Sequence, residues 1–280
     1  MLIRFFEQQQ RHVFRESDLK AFLYQRADDW HLPQRLRSVP KFTDYMAQHG
    51  LQKIAFKSEH YRTATRYHWA QLRPYELALS LGRHAYFSHA TAMFLRGLTD
   101  QIPRTIYVNE EQTPKNFGVP TLTQQGIDRA FAGRQRTSRA VFTYDSVRAL
   151  LVSGKWTDRL EVGQVAAPDG TVADATKLER TLIDISVRPD YAGGPYQVLQ
   201  AYIAGRDKLS PRVLVATLKK LGHAYPYHQV IGFYMTRAGY STKEIEPLRR
   251  LPVSFDFYLA YGMNDPHYEA DWRLFVPKDF

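Results

Sequence analysis

The sequence predicts an α+β protein in two parts, a small basic helical module followed by a larger mixed α+β domain. Three observations carry that expectation. Apolar residues recur at helical spacing through residues 2–50 and then give way to two short strand-like runs. Residues 1–72 hold twelve Lys or Arg against seven Asp or Glu, while the remaining 208 residues hold 26 against 21, so basic density is highest in the first quarter. Beyond residue 72, helical and strand-like stretches mix without a repeat or a low-complexity tract.

The bulk composition sets limits on partners. A chain of 280 residues that is 44% hydrophobic and 14% aromatic can bury more than one core, which suits a division at 1–72 and 73–280. No apolar run approaches the roughly 18 residues of a membrane span. The opening "MLIRFFEQQQRH" lacks the layout of a signal peptide, so a cytoplasmic location is expected. With no cysteine, disulfides, thiolate zinc sites and cysteine nucleophiles are excluded. A net charge of +10 points to a polyanionic partner, nucleic acid foremost.

Taken in order, "LIRFFEQQQ" forms a short helix with Leu2, Phe5 and Phe6 inward, and "HVF" a brief strand. Ser17 offers an N-cap to "DLKAFLYQ", whose Leu19, Phe22 and Leu23 share a face. After a polar insertion with Arg35 and Arg37, Pro40 suits the first turn of "KFTDYMAQH", and Gly50 ends it. Phe42 and Met46 define the buried side of this helix, leaving Lys41, Thr43, Asp44 and Gln48 outward. "LQKIAF" and "TRYHWA" pair as a hairpin carrying Lys53, Lys57, Arg62 and Arg66.

Three helices and a basic hairpin are the order of a winged helix-turn-helix. In that arrangement Lys41, Thr43, Asp44 and Gln48 read base edges in the major groove of double-stranded DNA. Arg35, Arg37, Lys53, Lys57, Arg62 and Arg66 hold phosphates.

Past Pro74, "YELALSLG" and "SHATAMFLRGL" are helical, with Ser88 as cap of the second. "TIYVNE" and "RAVFTY" are strands, and "EVGQVAA" and "TVADA" form a hairpin about "PDG". In "DATKLERTLIDISVRPDYAGG", Thr176 and Glu179 fit a T-x-x-E capping box, and Arg180 and Asp184 stand four apart as an ion pair. Helices follow near 195–205, 210–221 and 224–237, and "FDFYLAYG" and "RLFVP" close the chain as strands.

Catalytic patterns are sparse. "SGKW" at 153–156 lacks the upstream glycine and following Ser or Thr of a phosphate loop. His84 and His89 are five apart, as are His223 and His228, which misses the four-residue step of two metal ligands on one helical face. Neither a metal nor another cofactor is expected. The enzymatic alternative is a Mg-dependent nuclease built on Asp169, Asp174 and Glu179.

"YFSHATAMFLRGLTDQIPRTIYVNEEQ" (86–112) and "ATKLERTLIDISVRPDYAGG" (175–194), preceded by the basic module, resemble the AbiEi-type antitoxins of bacterial type IV toxin-antitoxin systems. The family motif falls on Ser88, His89, Gly97 and Leu98, and on Glu179, Arg180, Thr181, Leu182, Ile183 and Asp184, as framework positions. The resemblance implies a phage-defence regulator that binds inverted repeats in its own promoter as a dimer or as cooperating monomers. It also implies a second domain that counteracts a nucleotidyltransferase-like toxin encoded alongside. A ligand-responsive repressor is the alternative of a different class. The segment joining the second and third helices is longer than in compact members of the family, and residues 206–280 carry no part of the motif.

Overall fold

The structure is a computed structural model that describes residues 1–114 and 121–280. Its first 69 residues form α1 (Leu2–Glu7), β1 (Val13–Phe14), α2 (Glu16–Arg26), α3 (Val39–Ala47), β2 (Leu51–Phe56) and β3 (Ala64–Trp69). The strands make an antiparallel sheet in the order β1-β3-β2, with Leu51 opposite Trp69 and Phe56 opposite Ala64. Helix α3 follows from sequence: Pro40 fits the first turn, Phe42 and Met46 point inward, and Gly50 at φ +108° takes the left-handed turn into β2. The core is aromatic. Phe6 stacks on Trp69 at 5.2 Å and meets Phe14 edge-on at 5.4 Å, and Trp30 lies parallel to Phe42 at 6.2 Å.

Two local expectations change. Ser17 is not the cap of α2; the helix begins at Glu16, and the Asp18 carboxylate reaches back to the Arg15 amide at 2.8 Å, a reach a serine at position 17 lacks. Thr43 does not face out. It is buried on the same side as Phe42, and its hydroxyl donates to the Pro40 carbonyl at 3.0 Å.

Residues 70–73 lead into α4 (Pro74–Leu79), β4 (Tyr86–Phe87), α5 (His89–Leu95), β5 (Ile106–Glu111), α6 (Gln124–Ala132), β6 (Val141–Tyr144), β7 (Val147–Gly154), β8 (Val162–Ala166) and β9 (Val172–Thr176). These six strands form one sheet in the order β6-β7-β5-β4-β9-β8. The β5–β7 and β4–β9 pairs are parallel, and the others antiparallel. The β8–β9 hairpin turns about Gly170 at φ +81°, as "PDG" predicts.

The helices α7 (Leu178–Val187), α8 (Pro195–Gly205), α9 (Pro211–Leu221), α10 (Tyr227–Arg237) and α11 (Thr242–Arg249) bury a second core around Leu182, Tyr202 and Tyr234. A small sheet of β10 (Phe257–Tyr258), β11 (His267–Glu269) and β12 (Leu274–Val276), in the order β10-β12-β11, closes over α10. The Gln229 amide ties it down by donating to the carbonyls of Phe255, Trp272 and Arg273.

The capping box expected at Thr176 and Glu179 does not form. Thr176 is the last residue of β9, opposite Val162, so its backbone is committed to the sheet and Lys177 becomes the N-cap of α7. The Thr176 hydroxyl instead pairs with that of Thr181 at 2.7 Å. Glu179 accepts the Ser210 amide at 2.9 Å, placing a carboxylate at the amino end of α9.

The β2–β3 hairpin does not stand free. Phe56 is fully buried against Phe142, with ring centroids 5.6 Å apart, and Lys57 exchanges both backbone hydrogen bonds with Thr143 at 2.9 and 2.8 Å. Burying Phe56 alone contributes roughly 1.5–3 kcal/mol. On the other side, the buried Glu76 carboxylate accepts the amides of His12 and Val13. Val13, Ile54 and Phe56 therefore belong to the core of the large sheet, while Phe14, Leu51 and Trp69 in the same small sheet belong to the first module's own core, and the first module is seated on the large sheet.

Candidate functional site

The residues assigned to DNA contact divide into two groups. Arg35 in the turn before α3, Lys41 and Asp44 on its outer side, Gln48 just past its end, and Lys53, Lys57 and Arg62 along the hairpin have exposed side chains. Arg37 is partly committed, pairing with Asp28 at 2.7 Å and donating to the Leu32 carbonyl. Arg66 does not belong with the phosphate contacts. Its guanidinium donates to the Ser80 hydroxyl and carbonyl, both at 2.8 Å, and to the Thr65 carbonyl, and burial pulls its pKa down to about 10. Those bonds fasten β3 to the end of α4, so Arg66 belongs to the seam. Sequence reasoning missed Tyr24 on α2, which is 93% exposed and flanks the groove between α2 and the start of α3.

The three carboxylates of the nuclease alternative each have a local task. Asp169 accepts the amides of Tyr75 and Thr171, Asp174 pairs with Arg159, and Glu179 holds α9. Among the described residues no cluster of three or more acidic or histidine side chains is placed to hold a metal ion.

The family-motif positions gather elsewhere. His89, Arg180 and Asp184 line one cleft of about 420 Å³, beside the carboxyl ends of the parallel pair β5 and β7. Open α/β sheets hold ligands in such a place. Arg180 and Asp184 form the expected pair at 2.8 Å, nearly buried at 8% and 14% side-chain exposure. Burial opposes the Arg180 charge, but Asp184, with Tyr86 and Glu111 beside it, more than restores it, and the guanidinium titrates above its ordinary range. Arg180 also donates to the Leu160 carbonyl at 2.9 Å and to the Thr157 hydroxyl.

That hydroxyl donates to Glu111, which also accepts the Tyr86 phenol at 3.0 Å, and Tyr86 accepts from the buried Asn109 amide at 2.8 Å. One chain of hydrogen bonds thus runs from β5 to α7 and fixes one side of the cleft before any ligand arrives. Gly154 makes room for it, since a Cβ there would lie 2.3 Å from Asn109 Oδ1.

His89 opens α5 with its backbone at φ +48°, a left-handed conformation uncommon outside glycine and one that recurs at functional sites. Ser88 occupies the N-cap position, but its hydroxyl meets His89 Nδ1 at 2.9 Å and caps no helix amide. The ring packs edge-on to Tyr191 at 5.0 Å. Burial drives the pKa of His89 down to about 4, Asp184 opposing and Arg188 and Arg180 reinforcing the shift. His223, across the cleft, is lowered to about 4 for the same leading reason. Both imidazoles are neutral at pH 7.

Lys155, Arg188, Arg136, Asn109 and His223 complete the cleft and were not selected from sequence as its members. Lys155 was met only in "SGKW". That segment ends β7 without opening a helix, in keeping with the absence of a phosphate loop, and Lys155 Nζ donates to the Leu221 and Gly222 carbonyls at the end of α9. Gly97, the remaining motif position, ends α5 at φ +65° and turns the chain so that Leu98 is buried.

No protein-family model matches the sequence, and no curated protein matches it. Among solved structures, the crystal structure of the RV2827C protein from Mycobacterium tuberculosis is similar, with a TM-score of 0.58 over 98% of this chain and 89% of that chain at 13% identity. At that identity the likeness is one of fold, and the mixed α+β architecture extends over nearly the whole of both chains. No described helix is long and apolar enough to cross a membrane.

Proposed function

We propose that this chain is an AbiEi-type, DNA-binding antitoxin that represses its own operon through an N-terminal winged helix-turn-helix and counteracts a nucleotidyltransferase-like toxin through the rest. The observation that carries the DNA-binding half is the placement of α3 directly before β2, with exposed Lys41 and Asp44 on the helix and exposed Lys53, Lys57 and Arg62 on the hairpin. The order α1, β1, α2, α3, β2, β3 with the sheet order β1-β3-β2 supports a winged helix-turn-helix. In it, α3 enters the major groove and the hairpin lies on flanking phosphates. The antitoxin half rests on the motif resemblance at residues 86–112 and 175–194.

Fluorescence anisotropy with a duplex from upstream of the chain's own gene, and with a scrambled duplex, tests the first half. Each phosphate contact contributes a slope of about −0.9 in log K against log salt. Replacing Lys53, Lys57 and Arg62 by Gln should therefore flatten the slope by roughly 2–3 and weaken both duplexes alike. Arg66→Gln should leave the slope unchanged and lower thermal stability instead. Gln48→Ala or Lys41→Ala should narrow the difference between the two duplexes. An unchanged slope in the triple variant would remove the hairpin from the interface.

A further inference from the structure

The cleft between β5, β7, α5 and α7 carries an excess of positive charge among its described lining residues. Four cationic side chains line it, Arg136, Lys155, Arg180 and Arg188, against the single carboxylate of Asp184, which Arg180 already holds. Arg136, Lys155 and Arg188 are left without an acidic partner among the described ion pairs, although Lys155 and Arg188 are oriented by backbone carbonyls, Arg188 donating to that of Arg136 at 2.8 Å. Self-repulsion among three such charges works against the fold, and a bound anion removes it.

Three further features suit an anion with several oxygens. The lining also includes Asn109, Thr137 and Ser153. His223 Nε2 is buried without a hydrogen-bond partner, a vacancy that needs an explanation in a protein interior. His89 holds Nδ1 against the Ser88 hydroxyl, which leaves Nε2 as the ring nitrogen for the cavity. Its left-handed backbone is the kind of local strain that binding sites retain. A guanidinium presents paired donors that match phosphate oxygens, and an ammonium adds a point charge. The cavity of about 420 Å³ admits a metabolite-sized molecule and is too small for a folded partner.

We propose that this cleft is a binding site for a small phosphorylated molecule, whose phosphate sits among Arg136, Lys155 and Arg188 with the histidine edges completing its shell. The neutral imidazoles fit this arrangement, since each keeps one N–H to donate without adding to the crowded positive charge. None of the residues proposed to contact DNA, Lys53, Lys57 and Arg62 among them, lines this cleft.

Calorimetric titration of the full chain with inorganic phosphate and with pyrophosphate tests it, with chloride as comparator. Both phosphates should bind, chloride should not compete at equal concentration, and saturation about a hundred-fold above Kd should raise the melting midpoint by roughly 5–10 °C. Arg136→Gln changes an exposed side chain and Lys155→Gln a partly anchored one; each should weaken binding about 10-fold or more. Because the Arg136 side chain is exposed and makes no described hydrogen bond, Arg136→Gln should fold as the parent does. The Lys53, Lys57, Arg62→Gln triple variant should bind phosphate as the parent does. No binding of either phosphate would overturn the proposal. So would binding that survives both cleft variants, or binding lost in the triple variant, which would assign the anion to the exposed basic face.

Discussion

Arg180→Met isolates the energetics of the one ion pair that sequence and structure both identify. The change deletes a guanidinium that bonds Asp184 at 2.8 Å and the Leu160 carbonyl at 2.9 Å from a side chain only 8% exposed. Breaking one partner of a buried pair costs about 3–5 kcal/mol, largely because the other charge is stranded. Asp184 is 14% exposed and lines an open cleft, so water reaches it and the expected loss is about 3 kcal/mol. Against a total stability of about 5–15 kcal/mol that is a large fraction.

Removing the stranded charge as well, in Arg180→Met with Asp184→Leu, should recover about 1–2 kcal/mol and leave mainly the unpaired Leu160 carbonyl as the residual cost. Urea denaturation followed by circular dichroism and fluorescence reads both values, with coincident transitions and equal m-values as the conditions for comparing them. A single-variant loss below about 1 kcal/mol would place the pair with ordinary surface bridges. A double variant as unstable as the sum of the singles would show that the two side chains act through packing and not through each other.

Acid should destabilise the protein through its buried histidines. His89 and His223 titrate near 4 when folded and near 6.5 when unfolded, so the unfolded chain takes up protons first as pH falls. Their contribution is complete above pH 6.5 and is lost as pH drops from 6.5 towards 4, the loss reaching about 3 kcal/mol for each histidine. Melting midpoints recorded across that window should fall, and His223→Gln should shallow the fall; a flat profile would contradict the burial that sets both shifts. Gly232→Ala should cost about 1–3 kcal/mol, because its Cβ would lie 2.2 Å from the Trp272 ring that seats β12 on α10. A midpoint equal to the parent's would mean that the ring has room to move.

Local order was legible in the sequence wherever one face of an element is buried. Phe42, Met46, Pro40 and Gly50 gave α3 its frame and its ends, and "PDG" gave the β8–β9 hairpin. Strand β7 was hidden because it lies inside the sheet between β6 and β5, so "VRALLVSG" shows no clean alternation. Helix α6 was hidden by Gln124, Gln125 and Gly126, residues that suit a loop as well as the first turn of a helix capped by Thr123. The T-x-x-E pattern at Thr176 misled because strand pairing with β8 held Thr176 extended, a tertiary contact that local spacing does not contain.

The cleft shows the same limit at larger scale. Arg180 and Asp184 pair at a helical step and can be read directly. Their meeting with His89, Asn109, Lys155 and His223 needs the parallel pairing of β5 with β7 and the packing of α9 against α7. The Ser88–His89 step carries no motif for that destination. Arg66 was assigned to DNA on charge and position alone, and Ser80, fourteen residues away, claims its guanidinium.

The measurement that bears most directly on the proposed function is growth of bacteria that express the gene encoded beside this one, with and without the full-length chain. The account predicts arrest by the neighbour alone and restored growth when the chain is present. A neighbour that arrests growth equally in both cultures would contradict the antitoxin assignment.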